Sequence, residues 1–317
     1  MNSIGGYFEL ELNKSDLYHK EAICLNSGRT ALELILRTLN YSKVYVPYYI
    51  CDVVLDVFDK CNTTYEFYSI NIDFEPIFDF STIHENEGFL YINYFGIKNT
   101  FIEDLIRKCN NLIIDNSQSF FSKSYHKIPS FNSCRKFFGV PDGAYLYLDK
   151  PCQVDFPLDH SERRFIHLLK RVEYGPEIAY KDYIRIEKSF KKQEIKQMSL
   201  LTKGLLSNLD YELVRNKRRD NYLFLQTYLS KYNQLNLPLP KDSVPMVYPF
   251  MIENGAHFRK ILIENKVYVA TYWSNVLKLV LKDSLESNFT QNIIPLPIDQ
   301  RYSPNDLIRI LELLKLK

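Results

Sequence analysis

The sequence predicts an α/β protein: a mostly parallel sheet flanked by helices, followed by a smaller C-terminal α+β domain. Two observations lead there. Between residues 29 and 148 short apolar, strand-like runs alternate with helix-like stretches, the order that buries a parallel sheet under helices. After about residue 160 the chain becomes charged and helical, and strand-like sequence returns only near 247. The 317 residues suffice for a large core in one or two domains, and the expected division is 1–205 and 206–317.

Taken in order, residues 29–39 (RTALELILRTL) read as a helix. Leu32, Leu34, Ile35, Leu36 and Leu39 form a broad apolar face with no Pro or Gly inside it. Asn26-Ser27-Gly28 just ahead supplies N-cap chemistry. Lys43–Pro47 reads as a short strand closed by proline, 50–60 as a helix, and 65–70 (YEFYSI) as an alternating strand. Gly88–Tyr91 is expected to be a buried strand, 101–109 a helix, Asn111–Asp115 an apolar strand ending in a carboxylate, and 143–148 a further strand. In such sheets ligands gather at the carboxyl ends of strands, and both Asp115 and the Ser27-Gly28 turn lie at strand-to-helix ends. Farther on, 160–205 reads as helical with Lys191-Lys192 in the middle, 206–233 as one long amphipathic helix, and Val247–Ile252 as a strand. A final helix, 304–316, opens with Ser303-Pro304 as N-cap and first residue.

Composition narrows the function classes. Formal net charge is +2 without a basic tail or stripe, so no nucleic-acid partner is expected. Arg163-Arg164 and Lys217-Arg218-Arg219 read as solvated helix faces. The six cysteines (24, 51, 61, 109, 134 and 152) form no CxxC pair and no cluster with His at zinc spacing. Neither a metal site nor a disulfide framework is expected, and a reduced, cytoplasmic setting fits. The stretch MNSIGGYFELELNKSD lacks the charged-then-apolar layout of a signal peptide. No run approaches the roughly 18 apolar residues of a membrane span.

Four local features carry chemistry together. Asn26-Ser27-Gly28-Arg29-Thr30 opens a helix, where exposed backbone N–H groups and the positive end of the dipole attract phosphate; Ser27 and Thr30 add hydroxyls and Arg29 a charge. Asp115, followed by Gln118, sets a carboxylate where it can pair with a protonated heterocyclic nitrogen. Ser133-Cys134-Arg135-Lys136 is an SxxK arrangement whose lysine can attack an aldehyde once deprotonated, a state that the like charge of Arg135 favours. Pro141-Asp142-Gly143 turns straight into the next strand. SxxK also marks serine acyl-transfer enzymes, but the SDN and KTG partners of that class are missing. Each feature alone has an ordinary structural explanation: a capped helix, a strand-terminal Asp, a basic surface pair, a turn. Their order along the chain is what singles them out.

In that order the chain resembles the DegT/DnrJ/EryC1/StrS aminotransferases, fold-type I pyridoxal-phosphate enzymes that mostly act on sugar nucleotides. The likeness is detailed over about residues 20–148. Asn26-Ser27-Gly28-Arg29-Thr30-Ala31-Leu32 is similar to the family's phosphate-binding start. Val46-Pro47-Tyr48-Tyr49-Ile50-Cys51 is similar to the segment that lays an aromatic over the pyridine ring. Asn93-Tyr94-Phe95-Gly96, Asp115-Asn116-Ser117-Gln118, and Ser133 to Lys136 with Asp142-Gly143 follow in sequence. The resemblance implies Lys136 as the covalent cofactor lysine, Asp115 on the ring nitrogen and Gln118 near the ring hydroxyl. It also implies Ser27, Gly28, Arg29 and Ser133 around the phosphate, and Tyr49 as the stacking residue, with Tyr48 and Cys51 as alternatives. It further implies pyridoxal 5′-phosphate as cofactor, a small-molecule amino donor such as glutamate, and a nucleotide-linked keto-sugar acceptor; a homodimer and a place in surface polysaccharide or glycoconjugate synthesis complete the expectation. Departures are visible too. Arg29 replaces the usual Thr, the family histidine near Asn93 is absent, and the glycine-rich turn after the lysine is reduced. The motif through which a partner subunit reaches the cofactor is not matched by Ile195-Lys196-Gln197. These departures keep open a non-catalytic relative that retains the fold for binding, or a cofactor enzyme of another reaction type.

Overall fold

The computed structural model describes residues 4–12, 15–152, 155–191 and 193–316. Its first part runs β1 (Ile23–Leu25), α1 (Gly28–Leu39), β2 (Lys43–Pro47), α2 (Asp52–Cys61), β3 (Thr64–Ile70), β4 (Pro76–Ile77), β5 (Glu87–Ile92), α3 (Asn99–Lys108), β6 (Leu112–Asp115), β7 (Ser130–Phe131) and β8 (Ala144–Tyr147). These strands make one eight-stranded sheet in the order β1-β8-β7-β6-β5-β2-β3-β4. Its centre is parallel, through β3 with β2, β2 with β5, β5 with β6 and β6 with β7. The flanking pairs β1–β8, β7–β8 and β3–β4 are antiparallel. Strands β5 and β6 are buried along their whole length, as the unbroken apolar runs of a covered parallel sheet require.

The short strands β1, β4 and β7 carry no periodicity of their own, and sequence patterning did not reveal them. They exist because longer neighbours offer open ladder positions. Every helix and strand expected before residue 150 is present, with ends moved by up to two residues.

The second part contains α4 (Ile166–Tyr174), α5 (Pro176–Ser189), α6 (Leu200–Ser207), α7 (Tyr211–Leu229), β9 (Val247–Met251), α8 (Gly255–Glu264), α9 (Leu285–Asn292), β10 (Ile293–Pro297) and α10 (Pro304–Leu314). The expected single helix over 206–233 is interrupted near its start. The α6 helix ends at Ser207, and Asp210 caps α7 by accepting the Leu213 N–H at 2.9 Å. Likewise Gly175, at φ +85°, separates α4 from α5, which opens with Pro176. Lys191 lies past the end of α5 rather than inside a helix, and Lys192 falls outside the described residues. Strands β9 and β10 pair antiparallel with Pro249 opposite Pro295. Proline is tolerated there because a two-stranded sheet leaves each strand an unpaired edge.

Among the described residues no helix is long and apolar enough to cross a membrane, and no group of three His, Cys, Asp or Glu is placed to hold a metal ion.

Candidate active site

Asp115 ends β6 and is only 4% exposed. One carboxylate oxygen accepts the Ser117 N–H at 2.7 Å, closing an Asx-type turn. Burial raises its carboxyl above the ordinary carboxylate range, while hydrogen bonds from Ser117 and the charge of Lys136 act in the opposite sense. Gln118, equally buried, accepts the Phe95 N–H at its side-chain oxygen, 2.7 Å away. That engages the acceptor end of the amide and leaves its NH₂ as the donor. Phe95 itself has φ 56°, a costly conformation for a bulky residue, which suits a tight turn held by this bond.

The N-terminus of α1 lies beside this turn. A Cβ placed on Gly28 would stand 3.6 Å from the Ser117 hydroxyl and 3.5 Å from the Asn132 carbonyl. Ser27 caps the helix: its hydroxyl accepts the Thr30 N–H at 3.2 Å, and the Ser27 N–H donates back to the Thr30 hydroxyl at 3.2 Å. With that hydroxyl engaged in the cap, the helix offers its leading backbone N–H groups as anion donors.

The lysine sits on a single 3-10 turn, Cys134–Lys136. Two backbone bonds tie this turn to the start of α1: the Cys134 N–H donates to the Gly143 carbonyl at 3.0 Å, and the Gly143 N–H to the Asn26 carbonyl at 2.8 Å. Gly143 has φ +112°, and a Cβ there would come within 3.0 Å of Thr202 Cγ2. Asp142 accepts from the Ser199 N–H at 2.9 Å, the Ser199 hydroxyl at 2.7 Å and the Thr202 hydroxyl. The Asp142-Gly143 pair is thereby a brace between the lysine turn and the start of α6.

Lys136 is exposed, and its amine has no hydrogen bond among the described residues. It interacts electrostatically with Asp115 and with the Cys51 thiol. Ser133 is half-buried three residues earlier. The neighbouring Arg135 ion-pairs with Glu187 on α5 and lies 4.2 Å from the Phe190 ring. The like charge expected next to the lysine is therefore balanced. Arg29 and Arg164 approach the same ring at 5.8 and 5.6 Å, and each of the three arginines has a buried Nε without a partner among the described residues.

One expected site residue is misplaced. Tyr49 has no exposed surface. Its ring lies 4.6 Å from Trp273, 5.4 Å from Phe289 and 5.9 Å from Tyr94, enclosed in the core where no ligand ring can lie on it. Burial raises its phenol pKa well above the ordinary value. Cys51, two residues on and preceding α2, is the side chain of that segment that interacts with Lys136. Arg218 also differs from expectation: it is no solvated face but 2% exposed. The doublet Arg218-Arg219 looked ordinary in sequence, and the apolar residues around it at helical spacing were the available signal.

No family model matches the sequence, and no curated protein does. Solved structures do resemble it. A protein of Streptococcus pneumoniae in its PLP form gives a TM-score of 0.65 at 16% identity, covering 93% of this chain and 86% of the other. A sugar aminotransferase from Micromonospora echinospora gives 0.63 at 10% identity, with 93% and 86% covered. A DegT DnrJ EryC1 StrS aminotransferase from Brucella abortus gives 0.60 at 15% identity, with 93% and 85% covered. At such identities the likeness is one of architecture, and over that span the chain has the fold-type I architecture of the pyridoxal-phosphate aminotransferases.

Proposed function

We propose that the protein is a pyridoxal-phosphate-dependent aminotransferase acting on a keto-sugar. The observation that carries this reading is convergence: the turn with the buried Asp115 and the oriented Gln118 amide, the N-terminus of α1 and the turn with the Lys136 amine are separate segments that meet at one end of the sheet. The donor set suits the cofactor's chemistry. Asp115 supplies a carboxylate for the ring nitrogen, and Gln118 an N–H for the ring hydroxyl. The leading N–H groups of α1, the Ser133 hydroxyl and the Arg29 guanidinium supply donors and charge for the phosphate. Lys136 provides the amine that holds the cofactor covalently. Cys51, rather than an aromatic ring, stands beside it.

When bound, pyridoxal phosphate supplies an electron sink for the carbanion formed at the amino donor's Cα. Asp115 keeps the ring nitrogen protonated. Lys136 Nζ would serve as the general base and acid, taking up the donor's Cα proton and holding it for return. Glutamate as donor, a nucleotide-linked acceptor, a role in surface polysaccharide or glycoconjugate synthesis, a homodimer and a cytoplasmic location complete the proposal, with no nucleic-acid or membrane partner. They rest on the sequence reading and the family resemblance of the motifs, while the sugar aminotransferases among the structures of like fold support the sugar acceptor alone. The proposed division into 1–205 and 206–317 falls within the last turn of α6.

The test is a two-step titration of purified protein, first with pyridoxal phosphate and then with glutamate and other amino acids. A visible band that an amino donor bleaches, and that a nucleotide-linked keto-sugar restores, is the expected result. A protein that takes up no cofactor would overturn the enzyme reading in favour of a non-catalytic relative. Cofactor uptake without amino transfer to any keto-sugar would assign a different reaction type.

A further inference from the structure

Arg218, on α7, is among the largest fully buried side chains of the protein. Its Nη2 donates to the Phe137 carbonyl at 3.3 Å, its Nη1 to the carbonyls of Met246 at 3.0 Å and Pro245 at 3.3 Å, and its Nε to the Gln300 side-chain oxygen at 3.1 Å. The guanidinium also lies 4.4 Å from the Phe137 ring. Gln300 donates its own NH₂ to the same Phe137 carbonyl at 3.0 Å. No carboxylate forms a salt bridge with Arg218 among the described residues. Asp299, the opposite charge that acts on it most strongly, is paired with Arg301 at 2.7 Å. A buried cation held mainly by neutral acceptors is expensive to keep, and its acceptors show what it joins.

Phe137 directly follows Lys136. Pro245 and Met246 lead into β9, and Gln300 follows β10. The bonds continue from there: the Met246 N–H donates to the Phe95 carbonyl at 2.8 Å, and the Phe95 N–H donates to Gln118 at 2.7 Å. An unbroken chain of contacts thus runs from the peptide after Lys136 through Arg218, Met246 and Phe95 to Gln118. We infer that Arg218 is a positioning residue: with Gln300, it fixes the Lys136 turn against the two-stranded sheet and so sets where the amine stands relative to Gln118. The inference rests on the cofactor reading only for what Lys136 does once it is placed.

Three variants test it: Arg218→Met, Arg218→Lys and Gln300→Leu, the last removing one donor to Phe137 and the acceptor of the Arg218 Nε while leaving the buried cation. Two quantities are measured on each, the rate at which Lys136 condenses with added pyridoxal phosphate and the thermal midpoint of the cofactor-free protein. Misplacement of a reacting group by about 1 Å costs on the order of 10²-fold in rate. A loss of that order is expected for Arg218→Met and of about tenfold for Gln300→Leu, with partial recovery in Arg218→Lys, which keeps the charge. If Arg218→Met does not fold, Gln300→Leu decides alone. Wild-type condensation rates together with a lowered thermal midpoint would overturn the inference and leave Arg218 a packing residue. If the wild-type lysine does not condense at all, the cofactor reading fails separately. Positioning is then read from reductive methylation of Lys136 relative to the other lysines, and reactivity unchanged in Gln300→Leu would overturn it.

Discussion

Asp115 shows how stability and chemistry diverge at a single residue. Burial raises its carboxyl above the ordinary value of 3.8, so the folded protein binds this proton more tightly than the unfolded chain. The stability that follows is complete below the unfolded value and is lost as pH rises through the folded one. Replacing the carboxyl by an amide removes that loss. Cofactor-free Asp115→Asn should therefore melt above wild type at pH 7 and show no such advantage near pH 3. The same substitution should lower amino transfer on the order of 10²-fold or more, since it removes preorganised charge from the ring nitrogen. A variant that melts below wild type at pH 7 would show that its hydrogen bonds from Ser117 matter more than the burial of its charge. Asp115, Gln118 and Lys136 were legible as candidates because strand-end position and motif order point to them. Tyr49 was not placed correctly, because one-residue steps along Tyr48-Tyr49-Ile50-Cys51 decide which side chain faces the core, and periodicity does not resolve a turn.

Between elements, the tight approaches are made by glycines. Gly96, at φ +75°, brings its backbone so near the Gln118 carbonyl that a Cβ would stand 2.5 Å from that oxygen and 3.0 Å from the Val244 carbonyl. Both obstacles are backbone and cannot swing aside. Gly96→Ala should destabilise the protein by about 1–3 kcal/mol from the unfavourable backbone alone, with a further cost from the clash, and should weaken cofactor binding because Gln118 moves with it. Denaturant unfolding measures the first and absorbance titration the second. A variant with unchanged midpoint and affinity would contradict the close packing of these turns. The long elements α1, β2, β5 and α10 follow from apolar spacing and caps, and the sequence predicts them. The short strands β1 and β7 depend on partners far along the chain, β1 on β8 through the Ile23–Leu146 register, and no local pattern encodes such pairing.

At the scale of the whole molecule, the parallel sheet gathers chemically ordinary segments at one end, and the second sheet reaches them through Arg218 and Gln300. This convergence is the central claim, and its core is that Lys136 is the residue that takes the cofactor. The fold was readable from the alternation of strands and helices. The bracing of the lysine turn by residues 81 and 163 positions away was not, because isolated polar side chains do not announce their distant acceptors. The most direct measurement is borohydride reduction of protein incubated with pyridoxal phosphate, followed by peptide mapping. A phosphopyridoxyl group on the peptide containing Lys136, and its loss in Lys136→Ala, is the predicted result; a label on another lysine, or none, would contradict the account.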